Sequence, residues 1–128
     1  MTIFIDIDGT ICTQPGRYED AKPISKAIRL ANKLYDAAGE NDRIVYWTAR
    51  GTTTGIDWRD LTEKQFKDWG VKYHELRFCK PQYDLFIDDK AMNGFGCPFC
   101  LSTGKIVYGS ETETGRIERI CQNCNGKK

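Results

Sequence analysis

An α/β fold, with a parallel sheet flanked by helices and a small β appendage at its C-terminal end, follows from three features of this chain. Short runs rich in β-branched and aromatic residues alternate with stretches whose apolar residues recur at helical spacing. Alternation of this kind implies parallel strands joined by right-handed crossovers. Three of the runs stop at polar residues, namely Asp6 and Asp8, Thr48, and Asp88 with Asp89. In such sheets ligands bind beyond the carboxyl ends of the strands.

Taken in order, Ile3-Phe4-Ile5-Asp6-Ile7-Asp8-Gly9-Thr10 reads as a strand buried inside the sheet and running into a turn. Side chains repeat every second residue, so Asp6 and Asp8 fall on one side of the strand tip. Two like charges so close repel unless a cation or a shared proton lies between them. The pattern therefore predicts a hard, oxygen-ligated divalent metal such as Mg²⁺, with a capped turn that carries no chemistry as the plainer alternative.

Residues 11 to 20, with Pro15 and Gly16, read as a loop. From Pro23, the residues Ile24, Ala27, Ile28, Ala31, Leu34, Tyr35 and Ala38 make one face of a helix of about four turns, with Pro23 in its first turn and Gly39 as its stop. Residues 43 to 48 form a second strand, apolar enough to be buried on both faces. Beyond a loop over residues 49 to 57, Trp58, Leu61, Phe66 and Trp69 mark a shorter helix that Gly70 ends, its apolar stripe narrowed by Thr62 and Gln65. Residues 71 to 78 give a weaker third strand, Lys80-Pro81 interrupts it, and Tyr83-Asp84-Leu85-Phe86-Ile87 predicts a fourth that ends at Asp88 and Asp89. The whole is Rossmann-like.

Composition agrees with one compact domain plus an appendage. The chain has 128 residues, of which 40% are hydrophobic and 29% charged, which is globular rather than disordered or membrane-spanning. A net charge of +1 gives no global attraction to nucleic acid. Met1 leads straight into the first strand, so the expectation is a cytoplasmic protein with no membrane partner. Nothing in the sequence indicates an oligomeric state.

The stretch Asp6-Ile7-Asp8-Gly9-Thr10 resembles the first signature, Asp-x-Asp-Gly-Thr, of the haloacid dehalogenase superfamily of phosphatases and phosphotransferases. Thr48 stands where that family has a Thr or Ser binding the phosphoryl group. Lys80 is similar to its third signature, and Asp88-Asp89 to its acidic fourth. The resemblance covers residues 3 to 94, and Tyr18 to Ile24, Thr48 to Gly51 and Lys80 to Ala91 further resemble small capsule-biosynthesis-type phosphatases of the superfamily. Neither gap between signatures has room for a cap domain, so the likeness is to capless members with an open site.

The resemblance implies a phosphomonoester hydrolase. Asp6 would be the nucleophile and Asp8 the general acid and base, with Thr48, Lys80 and backbone N–H groups after Asp8 on the phosphoryl oxygens. Mg²⁺ would be held by Asp6, the backbone carbonyl of Asp8 and Asp88, with Asp89 beside them. Residue by residue, plainer readings stand alongside: Thr48 as a strand end, Lys80 as a surface lysine, Arg50 either touching substrate or capping its loop, and His74, Cys12 and Cys79 without a role in the chemistry.

Six cysteines in a chain without an export signal read as ligands or thiols rather than disulfides. Cys97, Cys100, Cys121 and Cys124 form two Cys-x-x-Cys pairs with the spacing of a four-cysteine Zn²⁺ site. Two short strands fit between the pairs, at residues 105 to 108 and 117 to 120, making residues 95 to 128 a zinc ribbon beyond a phosphatase domain of residues 1 to 94. Two disulfides or a redox pair are the alternatives.

The expected substrate is a phosphorylated small molecule, a sugar phosphate or a nucleotide. Two other readings stay open: a nucleic-acid 3′-end phosphatase that uses the ribbon to contact nucleic acid, and an inactive-fold adaptor for nucleic acid or protein.

Overall fold

The computed structural model describes residues 1 to 95 together with two strands, 105 to 108 and 117 to 120. It divides into two compact units, Met1–Asp88 and Asp89–Lys128.

The first unit is the predicted α/β layer. Strands β1 (Thr2–Ile5), β2 (Arg43–Trp47) and β3 (Glu75–Arg77) form a parallel sheet in the order β1-β2-β3. Ile3 lies opposite Ile44, and Tyr46 opposite Leu76. Helix α1 (Ser25–Ala37) connects β1 to β2, and α2 (Arg59–Trp69) connects β2 to β3. The central strand is covered on both faces, as its unbroken apolar run requires: Ile44, Val45 and Tyr46 are all buried. Ile5, Ile7 and Ile11 from the first segment, Ala27, Ile28 and Ala31 from α1, and Phe66 from α2 complete the core. Tyr46 meets Phe66 edge-on at 4.9 Å. Among the described residues no helix is long and apolar enough to cross a membrane.

The helix ends differ in kind. Gly70 terminates α2 in the left-handed conformation, φ 71°, as its sequence position predicts. By contrast α1 stops at an extended Ala38, and Gly39 instead gives its N–H to Asp42. Pro23 stands outside the helix, bridged to Cys12. Asn32 of α1 ties the two helical layers together, donating to the Gly70 carbonyl and accepting from the Lys72 N–H, both at 2.9 Å.

Two strand expectations are corrected. Residues 83 to 87 do not form a strand; Leu85 and Ile87 are 75% and 88% exposed. Three consecutive apolar residues need cover on both sides of a sheet to form a buried strand, and here they lie exposed. In consequence β1 lies at an edge of the described sheet, with Phe4 half exposed, rather than inside it. His74 also has a function in the fold. Its Nδ1 accepts the Ile44 N–H at 2.9 Å, its own N–H donates to the Ile44 carbonyl, and its ring lies 4.7 Å from Tyr35.

In the second unit, β4 (Lys105–Tyr108) and β5 (Ile117–Ile120) pair antiparallel, with Lys105 opposite Ile120. These are the two strands expected between the cysteine pairs. The four cysteines proposed to hold zinc, Cys97, Cys100, Cys121 and Cys124, lie outside the described residues.

Candidate active site

Parallel pairing puts the C-terminal ends of β1, β2 and β3 on one rim. Asp6 follows the last residue of β1, Thr48 follows β2, and Lys80 comes shortly after β3. A cavity of about 240 Å³ opens there, lined by Asp6, Asp8, Thr48, Arg50, Lys80 and Tyr83 among others. A larger groove of about 590 Å³ runs between the helices past Asp36 and Asp68. Those two carboxylates are paired with Lys72 and Lys64, and none of the predicted site residues lines it.

Asp6 is held from two sides. The Thr10 hydroxyl donates to its Oδ2 at 3.1 Å, and Lys80 Nζ to its Oδ1 at 3.3 Å. The backbone delivers Lys80 through Cys79, a non-glycine residue in the left-handed region, φ 64°. The Lys80 N–H then donates to the Thr48 carbonyl, and its own carbonyl accepts the Thr52 hydroxyl. Thr48 is buried, and its hydroxyl oxygen accepts the Arg50 N–H at 3.1 Å.

Asp8 faces a different cation. Arg50 grips it with two bonds, Nε to Oδ2 at 2.9 Å and Nη2 to Oδ1 at 2.8 Å, and the Arg50 side chain is 0% exposed. Burial alone would lower the guanidinium's pKa, but the hydrogen bonds and charge of Asp8 outweigh it and raise it. Nearby Cys12 is buried, its thiol against the Ile7 carbonyl and Asp8. Desolvation first, then the charge of Asp8, pushes that thiol up to about 12. To the two roles the sequence left open for Arg50, substrate contact or loop cap, this arrangement adds a third, a buried partner for Asp8. The signal in the sequence was the polar pair Thr62 and Gln65 on the apolar stripe of α2: both side chains accept from Arg50.

The backbone donors expected after Asp8 are used within the turn itself. Gly9 donates to the Cys12 carbonyl, and Thr10 and Ile11 both donate to that of Ile7. Lys80 and Thr48 line the cavity beside this turn.

Of the residues expected around Mg²⁺, Asp6 and Asp8 line the cavity. Among the described residues no three His, Cys, Asp or Glu side chains form a group that could hold a metal ion. Both Asp8 carboxylate oxygens lie on Arg50, the ligand expected from Asp8 being its backbone carbonyl, and Asp88 falls in an exposed segment without regular structure and is not among the lining residues. Asp6 has one hydrogen-bond partner on each oxygen, which leaves lone pairs for a hard cation.

No family model matches the chain, and no curated protein matches it. Among solved structures, the crystal structure of a structural-genomics target from Vibrio cholerae is similar at 22% identity. The match covers 70% of this chain and 80% of that one with a TM-score of 0.62. That likeness is one of fold: the chain is α/β, with a three-stranded parallel sheet flanked by two helices.

Proposed function

We propose that this chain is a phosphomonoester hydrolase in which Asp6 is the nucleophile. The observation that supports the reading is the meeting of Asp6 and Lys80, 74 positions apart, at the rim that also carries Thr48 and Asp8. An Asp6 oxygen attacks phosphorus, and the bond to the leaving oxygen breaks with its electron pair going to that oxygen, which takes a proton from Asp8. Arg50 occupies two of the roughly four lone-pair sites of the Asp8 carboxyl, so sites for that proton remain. Water then attacks the aspartyl-phosphate while giving a proton to Asp8, and the bond between phosphorus and Asp6 breaks. Lys80 lies beside the attacking carboxylate and stabilises charge growing on the phosphoryl oxygens. Magnesium, when bound at Asp6, would screen that carboxylate from the phosphate.

The test is hydrolysis of p-nitrophenyl phosphate with and without Mg²⁺. The Asp6→Asn variant should keep its circular dichroism spectrum and lose turnover by several orders of magnitude; near-normal turnover would refute the assignment. A panel of sugar phosphates, nucleotides and 3′-phosphorylated oligonucleotides then separates a metabolite phosphatase from a nucleic-acid end phosphatase. No hydrolysis of any of them leaves the adaptor reading.

For the second unit we propose one zinc ion on Cys97, Cys100, Cys121 and Cys124. Two Cys-x-x-Cys pairs flanking an antiparallel strand pair support it. Elemental analysis should find one zinc per chain, lost in Cys121→Ser.

A further inference from the structure

We propose that Arg50 is a positioning residue that fixes the Asp8 carboxyl for proton transfer and does not itself bind the phosphate. The inference rests on the phosphatase reading above, but its argument is the donor count of one side chain. A guanidinium has five N–H donors. Nε and one Nη2 hydrogen go to Asp8, the two hydrogens of Nη1 go to the Thr62 hydroxyl at 3.0 Å and Gln65 Oε1 at 2.6 Å, and Nη2 also reaches Cys12 Sγ at 3.9 Å. No donor is left for a substrate oxygen, although Arg50 stands at the cavity wall. The Tyr18 ring closes one face of the guanidinium at 4.9 Å.

The clamp is itself anchored. Thr62 donates onward to the Trp58 carbonyl at 2.8 Å, and the Gln65 amide donates to the Tyr18 carbonyl at 2.7 Å. A fork fixed at both tines holds the plane of the carboxylate it grips. Asp8 keeps 13% of its side chain exposed, on the cavity wall, while Arg50 behind it has none. The geometry thus separates the two carboxylates: Asp6 answers to Lys80 and Thr10, Asp8 to Arg50.

A positioning role has a signature that packing alone lacks. Proton donation matters for a poor leaving group such as an alkoxide and hardly at all for dinitrophenolate. kcat/KM reports the steps up to departure of the leaving group, so it isolates this effect from later hydrolysis of the aspartyl-phosphate. The experiment compares glycerol phosphate with 2,4-dinitrophenyl phosphate in the wild type, in Arg50→Lys, which keeps the charge and loses the fork, and in Thr62→Val, which loosens the anchor and leaves the fork. Arg50→Lys should lower kcat/KM for glycerol phosphate about 100-fold and for the dinitrophenyl ester less than about fivefold. Thr62→Val should show the same selectivity at smaller size, which keeps the test open if Arg50→Lys fails to fold. Equal losses on the two esters in an active enzyme would overturn the positioning role and leave the phosphatase reading standing. A wild type that hydrolyses neither ester would overturn both.

Discussion

Lys80 Nζ donates to Asp6 Oδ1 at 3.3 Å, with its ammonium 5.2 Å from the centre of the Tyr83 ring. The lysine side chain is mostly withdrawn from solvent. A cation so placed beside the proposed nucleophile is worth more than one in water, because the surroundings screen it less. Lys80→Ala should therefore lower kcat/KM by about 10²- to 10³-fold, with Lys80→Arg restoring part of it. Steady-state kinetics on an aryl phosphate gives the answer, and a wild-type rate in Lys80→Ala would remove the residue from the site.

Gly51 sits next to Arg50 at φ 81°, and a Cβ there would run into the Ile56 carbonyl. The left-handed backbone alone costs a non-glycine residue about 1–2 kcal/mol, and backbone cannot move aside as a side chain can. Gly51→Ala should lower unfolding free energy by about 2 kcal/mol or more, read from urea denaturation.

Cys12 and Cys79 should react very differently. Cys12 is buried with its thiol pushed up to about 12, whereas Cys79 is exposed. Iodoacetamide at pH 8, followed by peptide mapping, should label Cys79 and spare Cys12 until denaturant is added. The raised value also has a sign for stability. The native thiol holds its proton above the ordinary 9.0, so stability from this group is intact below pH 9 and declines as pH rises from there toward 12. Cys12→Ala should flatten that decline.

Tyr46 is buried in the central strand with no hydrogen-bond partner for its hydroxyl among the described residues, and burial raises its pKa. An unpaired buried hydroxyl costs about 1–3 kcal/mol. Tyr46→Phe should leave the protein as stable or more so, by about 1 kcal/mol in chemical denaturation. A clear loss of stability would show that the hydroxyl is paired.

Strand ends and helices were legible because their periodicities are local. β2 is one unbroken apolar run, Gly70 is a glycine where a left-handed residue is needed, and the strand pair of the second unit fell where expected. What was not legible depends on who faces whom. Leu85-Phe86-Ile87 has strand composition, but whether a strand forms is decided by cover that other segments provide. Arg50 lies 42 positions from Asp8, and nothing at position 50 says which acid it will meet; only the odd polar residues on α2 hinted that something charged was buried there. For the same reason His74 looked idle until the Ile44 amide was seen donating to it.

The two separate pairings, Asp6 with Lys80 and Asp8 with Arg50, have a consequence for how ligands arrive. Among the described residues they are the only charged groups lining the cavity, two acids against two bases, whose charges cancel when both acids are ionised. The four side chains together therefore exert little long-range pull on a phosphate dianion, and without Mg²⁺ its rate of binding should vary only weakly with ionic strength.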